Sequence, residues 1–173
     1  MAKPIPLPPQ KKLQELFDYR DGELYWKEKR STSIDLSKPA GYVAKDGYRR
    51  IGIEGQAYQA HRLIWKYLCG KDPKEFIDHI DGNKINNNIK NLREATKQQN
   101  NHNRGPSKNN KLGIKGVSKS RNKYTAEIFI NGKKKHLGDF STIEEARLAR
   151  EEAEIKLFKE FSVLNRDNDK LYR

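Results

Sequence analysis

Short runs of alternating apolar and polar residues, each closed by a glycine-containing turn, alternate along this chain with brief helical stripes. They predict small antiparallel sheets and short helices rather than one broad layer. After a proline-rich start, Leu13, Leu16 and Phe17 fall on one side of a short helix over residues 11–17, and residues 23–27 then alternate as a strand. Strands over residues 42–43, 48–53 and 56–61 are separated by Asp46-Gly47 and Glu54-Gly55. Such pairs supply the positive φ that a tight reversal needs, so the segment reads as a β-meander. Leu63, Ile64, Tyr67 and Leu68 repeat at helical spacing over residues 62–68, with Gly70 as a left-handed stop and Pro73 just beyond it.

A strand over residues 76–80 runs into the turn Asp81-Gly82-Asn83. An asparagine-rich loop over residues 84–91, a strand over residues 92–95 and a helix opening at Thr96 follow, with Thr96 and Gln99 spaced as a capping box. Strand, loop, strand and helix in that order make a ββα unit. Residues 105–111 combine breakers, small polar residues and charge without periodicity, as a linker does. Three further strands are expected over residues 115–119, 124–130 and 133–140, the last two joined by Asn131-Gly132. A helix then starts at Ser141 or Thr142, where Thr142 and Glu145 form a second capping box, and Ala146, Ala149, Ala153 and Leu157 trace its inward stripe. The fold class is α+β: an N-terminal β-meander leading into a ββα unit, a linker, then a three-stranded antiparallel sheet packed on one helix.

Composition sharpens this. A hydrophobic fraction of 34% over 173 residues is low for one large core, so two modest cores fit better. The formal charge of +13 and the pI near 9.7 make nucleic acid the leading partner, with an anionic membrane surface as the alternative. No stretch is apolar enough to span a bilayer, which sets membranes aside. The first residues lack the continuous apolar segment of a secretory signal, so a cytoplasmic protein is expected. Cys69 stands alone, which excludes an intramolecular disulfide and a Cys-x-x-Cys zinc knuckle; it reads as a small buried side chain at a helix end.

The chemistry concentrates in Ile77-Asp78-His79-Ile80-Asp81-Gly82-Asn83, Asn91 and Gln98-Gln99-Asn100-Asn101-His102-Asn103. Phosphodiester hydrolysis needs an activated water and a cation that stabilises charge on the phosphorane and the leaving oxygen. Asp78 is a hard anionic donor and Asn100 a hard neutral one, a set suited to one divalent cation, Mg²⁺ or Mn²⁺, rather than zinc. His79 is the candidate general base. Asn91 is placed to bridge backbone groups and fix His79, while His102 and Asn103 compete with Asn100 for the ligand role.

Together with His61-Arg62-Leu63-Ile64-Trp65, the stretch Asn86-Asn87-Asn88-Ile89-Lys90-Asn91-Leu92-Arg93 and Thr96-Lys97-Gln98-Gln99-Asn100, this pattern resembles the HNH endonucleases of phage and homing type. The resemblance implies a ββα-metal fold with His79 as general base, Asp78 and Asn100 as ligands of one divalent cation and Asn91 as the middle residue of the motif. The final histidine of the family name is Asn100 here. His61 holds a position characteristic of the family, with packing or a DNA-backbone contact as its expected role. Arg49, Arg50 and Arg62 are candidate phosphate contacts.

Ten Lys and Arg residues lie between Arg104 and Lys135 against one acidic residue, Glu127. Gly116-Val117-Ser118-Lys119, Tyr124-Thr125-Ala126-Glu127-Ile128, Asn131-Gly132-Lys133, His136-Leu137-Gly138-Asp139-Phe140 and Glu144-Glu145-Ala146 resemble the Apetala-two/ethylene-response-factor DNA-binding domain. That resemblance implies a sheet entering the major groove, with Lys119, Arg121, Lys123, Lys133 and Lys135 as contacts. The expected organisation is an HNH nuclease domain with its leader over residues 1–104, a basic linker over 105–114, a DNA-binding domain over 115–162 and a polar tail over 163–173. The expected function is a metal-dependent DNA endonuclease, without small-molecule cofactor, acting as a monomer or weak dimer. The alternative is a DNA-binding regulator with an inactive nuclease remnant.

Overall fold

The computed structural model describes residues 5–103, 105–107, 109–158 and 161–162; the expected polar tail lies outside them. The described chain is mixed α+β, with several small antiparallel sheets and four α-helices. It divides into two compact units, Met1–Thr96 and Lys97–Arg173, each with its own core.

In the first unit, α1 (Gln10–Leu16) starts after Pro9, whose carbonyl accepts the Leu13 N–H at 3.1 Å. Phe17 does not continue the helix, as its apolar spacing suggested. It opens β1 (Phe17–Arg20), which pairs with β2 (Glu23–Trp26) in a hairpin. The pairing puts Phe17 opposite Trp26, with ring centroids 4.3 Å apart, and a strand conformation there buries the Phe17 ring completely. Asp21 (φ 46°) and Gly22 (φ 89°) make the turn. The expected meander is β3 (Tyr42–Val43), β4 (Arg49–Ile53) and β5 (Gln56–Gln59), in that order, with Glu54 and Gly55 at φ 50° and 77°.

α2 (Ala60–Cys69) begins two residues before the expected start, so His61 lies inside its first turn. Gly70 ends it in the left-handed region and donates its N–H to the Lys66 carbonyl at 3.0 Å. Cys69 is exposed, not buried as expected, because the last turn of α2 presents it away from the stripe that carries Leu63 and Ile64. The core gathers Leu13, Phe17, Leu24, Ile51, Leu63 and Ile64, each with no exposed surface, and extends to Ile77 of β6 (Phe76–His79) and Leu92 of β7 (Leu92–Ala95).

The second unit comprises α3 (Lys97–His102), β8 (Val117–Ser120), β9 (Lys123–Ile130), β10 (Lys133–Phe140) and α4 (Ile143–Phe158). Its sheet is antiparallel in the order β10-β9-β8, with Asn131 and Gly132 at positive φ between the last two strands. Thr142 and Glu145 close the expected capping box reciprocally: Oγ1 accepts the Glu145 N–H at 3.2 Å and the carboxylate accepts the Thr142 N–H at 3.1 Å. Val117, Ala126 and Ala146 form the core, with Leu112 and Ile114 packed against it, so residues that read as linker contribute to this unit.

The inward stripe of α4 is not the alanine series with Leu157. It is Ala146, Arg150, Glu154 and Phe158, while Leu157 is exposed. Arg150 and Glu154 pair at 2.6 Å in the interior, and Ser162 donates to the Glu154 carboxylate at 3.0 Å. Two charges can stay buried there because each compensates the other. Gly116, at φ 74°, makes the room: a Cβ on it would lie 2.6 Å from the Arg150 Nε.

Candidate active site

β6 and β7 pair with Ile77 opposite Glu94, Asp78 opposite Arg93 and His79 opposite Leu92. Strand alternation therefore sends Asp78 and His79 to opposite faces. His79 shares its face with the core residues Ile77 and Leu92, and Asp78 shares the other with Arg93. Both are buried, at 4% exposure. The Asp78 Oδ2 accepts from the Arg93 Nε at 2.9 Å and Nη2 at 2.8 Å.

His79 ends its strand, and its carbonyl accepts the Gly82 N–H at 2.8 Å. Its Nε2 lies 3.0 Å from the Oδ1 of Asn87, a residue at 1% exposure. The edge of His61 meets the His79 ring at 5.1 Å and 80°, and the Tyr48 ring lies 5.3 Å from His61 and 6.0 Å from His79. Burial, assisted by the neighbouring His79 and Arg62, pulls the His61 pKa down to about 3, so this imidazole is neutral at ordinary pH. At 5% exposure His61 packs against His79 and Tyr48, in line with the packing role among those expected for it.

The asparagine-rich loop is a network of side-chain braces rather than a solvated turn. The Asn91 Nδ2 donates to the Asp81 carboxylate at 2.9 Å and to the Asn86 carbonyl at 2.8 Å, while its Oδ1 accepts the Asp81 N–H at 3.0 Å. Its own carbonyl accepts the Ile80 N–H at 2.9 Å, so Asn91 grips the two residues that follow His79. Asp81 also accepts from the Asn86 Nδ2 and the Asn83 N–H, both at 2.7 Å. Partial burial opposes its ionisation, yet these donors outweigh it and hold its pKa below the ordinary carboxylate value.

Asn100 is half-buried on α3, in the second unit, whereas Asp78 and His79 belong to the first. A six-residue helix has little stability of its own. Lys115 caps it, its Nζ donating to the His102 carbonyl at 2.6 Å and the Asn101 carbonyl at 3.4 Å. The His102 ring stacks on Phe158 with centroids 3.4 Å apart at 14°, and Gln98 donates to the Asn131 Oδ1 at 2.9 Å. Asn103, the other competitor for the ligand role, is buried at 3% exposure.

The candidate phosphate contacts of the first unit all have protein partners. Arg49 pairs with Glu23 at 3.1 Å, Arg50 with Asp46 at 2.6 Å, and Arg62 donates to the Glu75 carbonyl at 3.3 Å. In the second unit, Lys119, Lys133 and Lys135 stand opposite Tyr124, Ile130 and Ile128, on the side of the sheet that carries the buried Ala126. Lys123 points to the open side, and Arg121 sits in the β8–β9 turn at φ 51°. That open side also carries Ser118, Ser120, Phe129 at 58% exposure and Lys134, none of them among the expected contacts. Period-two alternation along residues 117–136 is the signal that separates the faces.

Among the described residues no helix is long and apolar enough to cross a membrane, and no group of three or more His, Cys, Asp or Glu side chains is placed to hold a metal ion. Residues 58–102 match the HNH endonuclease family model. Over 133 residues the chain is 36% identical to an uncharacterized HNH endonuclease of Acanthamoeba polyphaga mimivirus, a match spanning 76% of this chain and 69% of that protein. Over 63 residues it is 43% identical to the DNA endonuclease I-HmuI of Bacillus phage SP01, spanning 34% of this chain and 36% of that one. No solved structure matches it. The family-model match covers Asp78, His79, Asn91 and Asn100 together, and the likeness to the mimivirus protein runs well beyond that segment: the chain belongs to the HNH endonuclease family and is a DNA endonuclease.

Proposed function

We propose that this protein is a divalent-cation-dependent endonuclease of phage or homing type, in which His79 is the general base, Asp78 and Asn100 hold one Mg²⁺ or Mn²⁺, and Asn91 keeps the loop after His79 in place. The observation that carries the reading is the pair of adjacent buried side chains at the end of β6, each held by a partner of its own: Asp78 by Arg93 and His79 by Asn87. The donors fit such an ion, since a carboxylate and an amide carbonyl are hard oxygen ligands that leave further positions to water and phosphate oxygens. Asn100 is taken as the ligand because it holds the place of the motif's final residue, with His102 and Asn103 as its competitors.

When bound, the cation supplies charge stabilisation at the phosphorane and the leaving oxygen. The chain's own part is as follows. His79 accepts a proton from water as the water oxygen bonds to phosphorus and the bond to the leaving sugar oxygen breaks; that oxygen takes its proton from solvent. Arg93 keeps the Asp78 carboxylate in one orientation, and the Asn91 braces keep the turn after His79 from collapsing onto the site.

The three-stranded sheet of the second unit with α4 is the proposed targeting module, of Apetala-two/ethylene-response-factor type, engaging double-stranded DNA through the open side of the sheet. Its strand-strand-strand-helix order and the ten basic residues between Arg104 and Lys135 support this. In this reading residues 1–104 carry the nuclease, residues 105–114 connect, residues 115–162 target, and the protein acts as a monomer or weak dimer.

Supercoiled plasmid incubated with the protein and Mg²⁺ or Mn²⁺ tests the catalytic assignment. Nicked or linear product is expected from the wild type. His79→Ala is expected to bind the plasmid without cutting it, and equal cleavage by the two proteins would remove His79 from the mechanism.

A further inference from the structure

We propose that Asn87 is a positioning residue that holds His79 as its Nε2–H tautomer, leaving the Nδ1 lone pair to receive the proton of the hydrolytic water. The proposal rests on the general-base reading of His79 and adds what selects the basic atom. The Asn87 amide presents Oδ1 to the His79 Nε2 at 3.0 Å, with both residues buried. A carbonyl oxygen only accepts, so the ring nitrogen facing it must carry hydrogen, and in a neutral imidazole the other nitrogen then carries the lone pair. His61 against the ring at 5.1 Å and Tyr48 at 6.0 Å leave the imidazole little room to turn over and exchange its nitrogens.

Asn87 is itself held from a distance. Its N–H donates to the Ile85 carbonyl at 3.1 Å, and the neighbouring backbone rests on the β1–β2 hairpin. A Cβ added to Gly22 would lie 2.6 Å from the Asn88 nitrogen and 3.1 Å from the Asn87 carbonyl carbon. The Ile89 N–H donates to the Tyr19 hydroxyl at 3.3 Å. The hairpin that precedes the motif thus sets where the amide oxygen stands. The Asn87 Nδ2 is buried with no hydrogen-bond partner among the described residues, so the opposite amide orientation, nitrogen toward the ring, is the competing arrangement.

The protein has four histidines, which makes direct observation practicable. Full-length protein with ¹⁵N-labelled histidine rings, free of divalent cation, is examined by long-range ¹H–¹⁵N correlation, with His79 assigned by its disappearance in His79→Ala. The wild type is expected to show the Nε2–H tautomer at His79. Asn87→Ala is expected to show a mixture of tautomers and a single-turnover cleavage rate lower by about 10–100-fold, with the DNA concentration for half-maximal rate unchanged. Asn87→Asp, which keeps an acceptor in place, is expected to retain the tautomer. An Nδ1–H tautomer in the wild type overturns the proposal, whether or not any variant folds, and so does a wild-type tautomer and rate in Asn87→Ala. Cleavage by His79→Ala with the tautomer found as stated would instead defeat the general-base reading alone.

Discussion

Arg93 and Asp78 stand opposite each other across the β6–β7 pair, and the guanidinium gives two hydrogen bonds to one carboxylate oxygen, at 2.9 and 2.8 Å. Two contacts from a charged, planar group hold that oxygen in place more firmly than a single neutral donor would. Removing Arg93 leaves a charge at 4% exposure without its main partner. Arg93→Ala is therefore expected to destabilise the protein by about 3 kcal/mol in denaturant unfolding, and Asp78→Asn added to it to recover part of the loss. An unchanged unfolding midpoint in Arg93→Ala would show that the pair holds nothing in place.

His61 makes stability depend on acid. Its folded pKa is depressed from 6.5 to about 3, so between those values the unfolded chain binds a proton that the folded chain does not. Stability is therefore expected to fall as pH drops from about 6.5 toward 3, with His61 contributing up to about 1.4 kcal/mol per pH unit. His102, depressed by burial and by Lys115, acts in the same direction. Asp81, also depressed, loses its contribution only at lower pH, below the ordinary carboxylate value of 3.8. The difference between wild type and His61→Leu in thermal unfolding at pH 7 and pH 4.5 isolates the first effect; parallel losses in the two proteins would refute it.

Gly22 and Gly55 provide a matched pair. Both have positive φ, 89° and 77°, but a Cβ on Gly22 meets the Asn87-Asn88 backbone whereas one on Gly55 meets nothing within 4 Å. Each alanine substitution should cost roughly 1–3 kcal/mol through backbone strain. Only Gly22→Ala should also slow plasmid cleavage, because only there does the intruding carbon push on the segment that positions His79. Equal cleavage rates in the two variants would break that link.

Lys115 supports the helix that carries Asn100. With the cap removed, the last carbonyls of six-residue α3 lose their cationic donor and the helix frays. Lys115→Ala is expected to weaken Mn²⁺ binding about tenfold, read by titration with detection of the free ion by electron paramagnetic resonance. Unaltered affinity would mean that α3 orders itself, or that Asn100 is not a ligand.

What the amino-acid sequence determined by itself was local. Glu54-Gly55 and Asn131-Gly132 specify their turns because so few residues tolerate left-handed backbone, and Gly70 stops α2 for the same reason. Residues 92–95 form their strand as read, and the Thr142–Glu145 capping box closes, since both need only neighbours along the chain. Asp78, His79, Asn91 and Asn100 stood out in the sequence through the resemblance of the whole segment to the HNH pattern, and the family-model match over residues 58–102 spans all four.

The tertiary structure alone decided what lies around them. Phe17 leaves its helix because Trp26 offers it a partner across a hairpin. Burying Arg150 on α4 depends on Gly116, more than thirty residues earlier in the chain, and on Glu154 one turn later. Asn87, one of several similar asparagines, meets His79 because the loop folds back and Gly22, some sixty-five residues away, lets the backbone approach. Such contacts depend on the closing of long loops, and no window of sequence contains both ends of the interaction that selects them.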